Sequence, residues 1–127
     1  MKYYINKTIN ADLETATEKI KEELQKEGFG IVTQFDVNKA FKEKLDIDFR
    51  KYRILGTCNP AFALRSINTE DKIGTILPCN VMLQEVDGGI EIAIINPKSM
   101  VSGIDNTEMK AISEEISEKM NRVIAKI

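Results

Sequence analysis

The sequence has no histidine, and only two of its 127 residues are cysteines. The absence of histidine excludes the most common acid–base catalyst, the Ser-His and Cys-His nucleophilic pairs, and most transition-metal sites. Two thiolates alone would supply only half of the ligands that a zinc site needs. We therefore expect no metal and no cofactor, and the lack of a histidine base argues against an enzyme.

A basic excess and long apolar runs are also absent. The net charge is −2 at pH 7, and lysines and arginines are interleaved with acidic residues, so the basic stripe typical of nucleic-acid-binding proteins is missing. No run of about twenty apolar residues is present to cross a membrane, and the N-terminus lacks the apolar core of a secretory signal. We expect a cytoplasmic protein with free thiols that binds neither nucleic acid nor membrane.

The apolar pattern predicts two long helices. After the capping residue Asp12, apolar residues recur at helical spacing and predict a helix over 12–27, which Gly28 ends. A second regular pattern at the C-terminus predicts a last helix, capped by Asp105 or Asn106. The predicted strands are residues 2–9, 29–35, 50–58, 75–86 and 90–95.

The order of these elements predicts the fold. A chain of 127 residues fits one domain, residues 1–127, with one core. The order β-α-β-(α)-β-(α)-β-β-α, with a tight hairpin signal at Asp87-Gly88-Gly89, predicts an α+β two-layer sandwich. In this sandwich a mostly antiparallel sheet presents one face to the two long helices, and short helices connect the strands. Pro78 is expected to mark a bulge, an edge or the start of its strand.

Cys58 is the candidate thiolate of the chain. It is expected at the end of a strand, just before a short helix that Asn59 caps and that Pro60 begins. The unpaired N–H groups and the dipole at a helix start concentrate positive potential, which favours a thiolate. The alternative is that Cys58 packs beneath the helix as a small apolar residue.

A second Cys-Asn pair, Cys79-Asn80, raises the same choice. Strand alternation places Cys79 on an apolar face, so the alternative to a site is a core position. Asn59 and Asn80 either satisfy backbone groups or point both amides into one pocket. A contact between Cys58 and Cys79 requires that their two strands be neighbours.

Arg50, Tyr52 and Arg53 form a compact basic and aromatic group. The planar fork of arginine matches a carboxylate or a phosphate, so the group predicts a small polar or anionic ligand. The alternative is surface ion pairing of these arginines with Asp46 or Asp48.

Three longer runs carry a resemblance to a known family. They are GFGIVTQFDV, KEKLDIDFRKYRILGTCNPAFALRSI and IGTILPCNVMLQEVDGGIEIAIINP, and by them nearly the whole chain resembles the Domain of Unknown Function 302 family. The resemblance implies a fold similar to that of the TATA-box-binding protein, a curved antiparallel sheet with helices on one side. It implies no established activity and no agreed catalytic residues. The sequence departs from the family pattern at Lys51, where proline is frequent, and at Asn96, where aspartate is common.

These observations leave three interpretations of function. The first is a small-molecule-binding module with a pocket bordered by Cys58, Asn59, Cys79 and Asn80. The second is a thiol-based redox or sulfur-handling protein that uses Cys58. The third is a structural domain that forms a homodimer through a sheet edge. We favour the first, because catalysis by Cys58 would need a base, and a homo-oligomer is compatible with each.

Overall fold

A five-stranded sheet and five α-helices make up the part of the chain that the computed structural model describes, residues 2–127. The strands are β1 (Tyr4–Ile9), β2 (Gly30–Asp36), β3 (Tyr52–Cys58), β4 (Cys79–Val86) and β5 (Gly89–Ile95). The helices are α1 (Leu13–Lys26), α2 (Val37–Leu45), α3 (Pro60–Thr69), α4 (Pro97–Met100) and α5 (Thr107–Lys126), and a 3₁₀ helix spans Asp71–Ile76.

The sheet has the strand order β1-β5-β4-β3-β2, and every neighbouring pair is antiparallel. Long helices α1 and α5 pack against one side of it, which we call the inner face. Side chains on the inner face alternate with those on the opposite, outer face, as strand geometry requires. The prediction of an α+β two-layer sandwich with an antiparallel sheet is confirmed. The core lies between the inner face and the helices and includes Leu55, Val81, Leu83, Ile92, Ile94, Ile112 and Met120.

The two long helices begin at the predicted caps. The Asp12 carboxylate accepts a hydrogen bond from the Thr15 amide at 2.7 Å, and the Asn106 side chain accepts one from the Met109 amide at 3.0 Å. Asn106 is therefore the cap of α5, which decides between the two predicted candidates. Gly28 has a φ of 88°, a conformation that glycine adopts without steric cost and that ends α1.

The segment before β4 differs from the prediction. We expected a turn over 71–74 and a strand from residue 75, whereas the chain forms a 3₁₀ helix at Asp71–Ile76 and the strand begins at Cys79. Pro78 has no N–H to donate to a ladder, so pairing starts at the residue after it. Of the three roles expected for Pro78, the structure shows the one at the start of the strand.

A buried arginine ties three elements together. Arg53 is 5% exposed, and its Nε donates a hydrogen bond to Asp36 Oδ1 at 2.7 Å. Its Nη1 donates to Thr17 Oγ1 at 3.0 Å, and its Nη2 donates to Glu14 Oε1 at 3.1 Å. The guanidinium holds the pKa of the Asp36 carboxyl below its ordinary value, because hydrogen bonding to Arg53 outweighs the effect of burial. These bonds fix the start of β3 to α1 and to β2.

We expect Arg53→Met to lower the free energy of unfolding by about 3 kcal/mol, because it removes the buried cation of the pair and leaves Asp36 with only the exposed Lys39, at 3.4 Å. Arg65→Met is the matched control. Arg65 makes exposed ion pairs with Glu115 and Glu108, and its loss should cost less than about 1 kcal/mol. Urea unfolding of both variants measures the difference, and equal small losses would show that the Arg53 cluster does not hold the strand.

Candidate functional site

An apolar hollow lies where β3 and β4 meet α3, on the inner side of the sheet. Its volume is about 350 Å³, and its lining includes Cys58, Asn59 and Cys79. We call it the thiol hollow. The rings of Phe29 and Phe62 form part of its wall and lie parallel, with centroids 6.4 Å apart.

Both cysteines line the thiol hollow. In the β3–β4 ladder Cys79 pairs with Thr57, and Thr57 is the residue just before Cys58 in the chain. Both cysteines are free thiols. Cys79 is 5% exposed. Burial, with a smaller effect from nearby Cys58, raises the pKa of the Cys79 thiol to about 11. Cys79 is therefore protonated at neutral pH and acts as a small apolar side chain in the wall.

Asn59 joins the end of α1 to the start of α3. Its Oδ1 accepts hydrogen bonds from the Ala61 and Phe62 amides at 3.1 and 3.4 Å. Its Nδ2 donates to the Glu27 carbonyl at 3.4 Å. A Cβ atom on Gly28 would lie 2.8 Å from this Nδ2, so only glycine at position 28 lets the Asn59 side chain pack this closely against the end of α1. The Asn59 side-chain amide therefore hydrogen-bonds to backbone groups, which is one of the two alternatives expected for it.

The amides at the start of α3 also bear on Cys58. Pro60 has no N–H, the next two amides donate to Asn59 Oδ1, and the Ala63 amide donates to the Asn59 carbonyl at 2.9 Å. Each first-turn donor therefore has a partner within the chain. A thiolate at Cys58 would have to compete with these bonds for its stabilisation.

Thr57 also belongs to the thiol hollow, and the sequence analysis did not identify it as a site residue. It is 1% exposed, it lines the thiol hollow, and its Oγ1 has no hydrogen-bond partner within residues 2–127. A buried hydroxyl without a partner costs free energy, so each such group calls for a physical reason. The signal was present in the sequence, because alternation along β3 puts Thr57 on the same face as Leu55.

The remaining predicted site residues do not reach the thiol hollow. Asn80 pairs with Gly56 in the ladder and points to the outer face, where it lines a separate cleft with Tyr52. Arg50 donates a hydrogen bond to Gln84 Oε1 at 2.9 Å. Only one of the two Cys-Asn amides therefore shares a hollow with the sulfur atoms.

The predicted group of Arg50, Tyr52 and Arg53 is divided between the two faces. Tyr52 and Arg53 are neighbours on a strand and so point in opposite directions. The ion pairs expected with Asp46 and Asp48 are not formed by these arginines; both aspartates pair with Lys42. Arg53 instead pairs with Asp36 and Glu14, and its buried guanidinium is not available to an anionic ligand.

The fold and the site define an α+β protein whose antiparallel sheet is backed by helices on one side and borders an apolar hollow. The sequence profile of the family described as Domain of unknown function DUF302 matches residues 5–127, and the chain belongs to this family. The resemblance carried by the three sequence runs is thus confirmed.

A solved structure agrees with this assignment. The crystal structure of the uncharacterized conserved protein DUF302 from Bacillus stearothermophilus has a TM-score of 0.92 and 26% sequence identity with this chain, and the match covers 99% of this chain and 98% of that chain. No curated protein matches the sequence significantly. Over residues 2–127, no helix has the length and apolar character needed to cross a membrane.

We expect the Cys79 thiol to react with maleimide at about pH 8 roughly a hundredfold more slowly in the folded Cys58→Ser variant than in the same chain unfolded by urea. With a pKa of about 11 almost none of the thiol is ionised at that pH, and burial restricts access further. Mass spectrometry of timed samples measures both rates. The Cys79→Ser variant reports the half-buried Cys58 in parallel, and equal rates for folded and unfolded Cys79 would contradict its place in the wall.

Proposed function

We propose that this protein is a small-molecule-binding module whose ligand occupies the thiol hollow. The ligand has a compact apolar body and one polar group that hydrogen-bonds to Thr57 Oγ1. The unpartnered hydroxyl of Thr57 is the observation that carries the proposal. Thr57 lies in the lining of the thiol hollow, and a few placed polar groups in an otherwise apolar lining are what orients a ligand in a binding site.

The dimensions and lining of the thiol hollow support an apolar ligand. Its volume of about 350 Å³ lies in the range of small-molecule sites. None of its lining residues within 2–127 is charged, so no charged side chain among them favours an anion over a neutral molecule. At its rim, Val32 and Ile67 are 59% and 47% exposed, and a bound apolar body would cover them.

This proposal revises the ligand expected from the sequence. A polar or anionic ligand was predicted from the two arginines, but Arg50 and Arg53 do not line the thiol hollow. The polar contact comes from Thr57 instead, and the sulfur atoms of Cys58 and Cys79 contribute apolar wall.

A redox role for Cys58 is less favoured by the same geometry. The first-turn amides of α3 already have partners, and the neighbouring Cys79 is held as a thiol by its raised pKa. The chain offers no histidine as a base. Self-association through a sheet edge and a cytoplasmic location stay predictions.

We expect Thr57→Val to raise the free energy of unfolding of the ligand-free protein by about 1 kcal/mol, because a methyl group replaces a hydroxyl that has no protein partner. Thr17→Val is the matched control with the opposite sign. The Thr17 hydroxyl donates to the Leu13 carbonyl at 2.7 Å and accepts from Arg53, so its loss should cost about 1–2 kcal/mol. Urea unfolding measures both, and a loss in both variants would mean that the Thr57 hydroxyl is satisfied.

A fragment screen by thermal shift tests binding itself. A fragment present at a hundred times its Kd should stabilise the protein by about 2.7 kcal/mol. Ala63→Leu, which places extra carbon atoms in the thiol hollow, should abolish the shift. Ala61→Leu, on the same helix but outside the lining, should retain it. Fragments that bind both variants equally well would place the ligand site elsewhere.

A further inference from the structure

A second cleft lies on the outer face of the sheet. Its volume is about 350 Å³, and Tyr3, Tyr4 and Tyr52 all line it. These are the only three tyrosines in the chain, which has no tryptophan. We call it the tyrosine cleft. It is formed by β3, β4, β5 and the N-terminal strand, whereas the thiol hollow lies on the inner side, so the two are separate.

Among residues 2–127, Glu91 is the only charged residue that lines the tyrosine cleft. Its Oε2 accepts a hydrogen bond from Asn6 Nδ2 at 2.9 Å, and its Oε1 accepts one from Gln84 Nε2 at 2.7 Å. These two bonds lower the pKa of the Glu91 carboxyl, so it is ionised at neutral pH. Both donors are neutral amides, and within residues 2–127 no salt bridge to Glu91 is formed.

The neighbouring cations occupy other positions. Arg50 lies outside the lining, and its Nε donates to Gln84 Oε1 at 2.9 Å. This bond orients the Gln84 amide so that its nitrogen faces Glu91. Lys2 lies 5.5 Å from the centroid of the Tyr4 ring, and Arg50 lies 5.7 Å from that of Tyr52. The rings of Tyr4 and Tyr52 thus already contact cations, while Glu91 forms no ion pair with any residue that the structure describes.

The floor of the cleft leaves room beside the carboxylate. Ala93 lies on the outer face between Asn6 of β1 and Met82 of β4, and its side chain is small. Glu91 is two residues away on the same strand and face. A group placed over Ala93 therefore has the carboxylate on one side, in a cleft whose lining includes the three tyrosines.

We propose that the tyrosine cleft binds a small organic ammonium ion, with its positive nitrogen beside Glu91 and its alkyl groups against the tyrosine rings. A carboxylate held by neutral donors leaves its charge available to a cation. Aromatic faces attract ammonium groups, most strongly where water is partly displaced. The ligand of this cleft is a cation, whereas the sequence had suggested an anion for Tyr52 and its arginine neighbours.

Choline and its neutral isostere 3,3-dimethylbutanol are matched probes, because they have the same shape and differ in charge. Without tryptophan, the intrinsic fluorescence of the protein comes from the tyrosines of this cleft alone. We expect choline to change that emission in a saturable way and to bind about tenfold or more tightly than the neutral alcohol. Glu91→Gln should remove this preference, and Glu85→Gln, an exposed carboxylate outside the cleft, should leave it intact.

Tyr52→Leu gives a second test if Glu91→Gln is poorly folded, which circular dichroism would show. It should weaken choline binding while the emission of the two remaining tyrosines still reports it. Equal affinities for choline and the alcohol would show an apolar cleft without charge recognition and overturn the proposal. The absence of any saturable response to choline would overturn it as well. So would a preference for choline over the alcohol that neither Glu91→Gln nor Tyr52→Leu reduces.

Discussion

The buried guanidinium of Arg53 determines which way β3 faces. Its hydrogen bonds to Asp36, Thr17 and Glu14 tie the strand to β2 and α1 from the inner side. Removing either partner from such a buried pair is costly, so the strand cannot turn its other face inward. Strand alternation then places Leu55 and Thr57 inward as well. The place of Thr57 in the lining of the thiol hollow therefore follows from an ion pair at the other end of the same strand.

The thiol hollow depends further on one side chain, Asn59. By accepting from the first amides of α3 and donating to the Glu27 carbonyl, it sets the start of α3 beside the end of α1. The hollow is the space that this arrangement leaves between α3, the sheet and the aromatic rings of Phe29 and Phe62. The Cys-Asn-Pro run thus shapes the site. Cys58 lines the hollow, Asn59 caps α3, and Pro60 begins that helix.

Local patterns predicted much of the fold, and tertiary contacts account for what they missed. The periodicity of α1 and α5, their caps and the turn between β4 and β5 are encoded within short segments, so the sequence sufficed. The partners of Arg53 lie 17, 36 and 39 residues before it, distances at which no local pattern operates. Asn80 was expected in the pocket of Cys79, although adjacent residues on a strand point to opposite faces. That same rule, applied to Thr57, would have identified the residue on which the proposed function rests.

The decisive measurement for the proposed ligand site is a crystal structure of the protein soaked with a fragment that stabilises it. We expect density for the fragment in the thiol hollow, with its polar atom within hydrogen-bonding distance of Thr57 Oγ1, about 2.7–3.2 Å, and its apolar body against Phe29 and Phe62. Density for the fragment elsewhere, with the hollow unchanged and Thr57 Oγ1 still without a ligand contact, would contradict it.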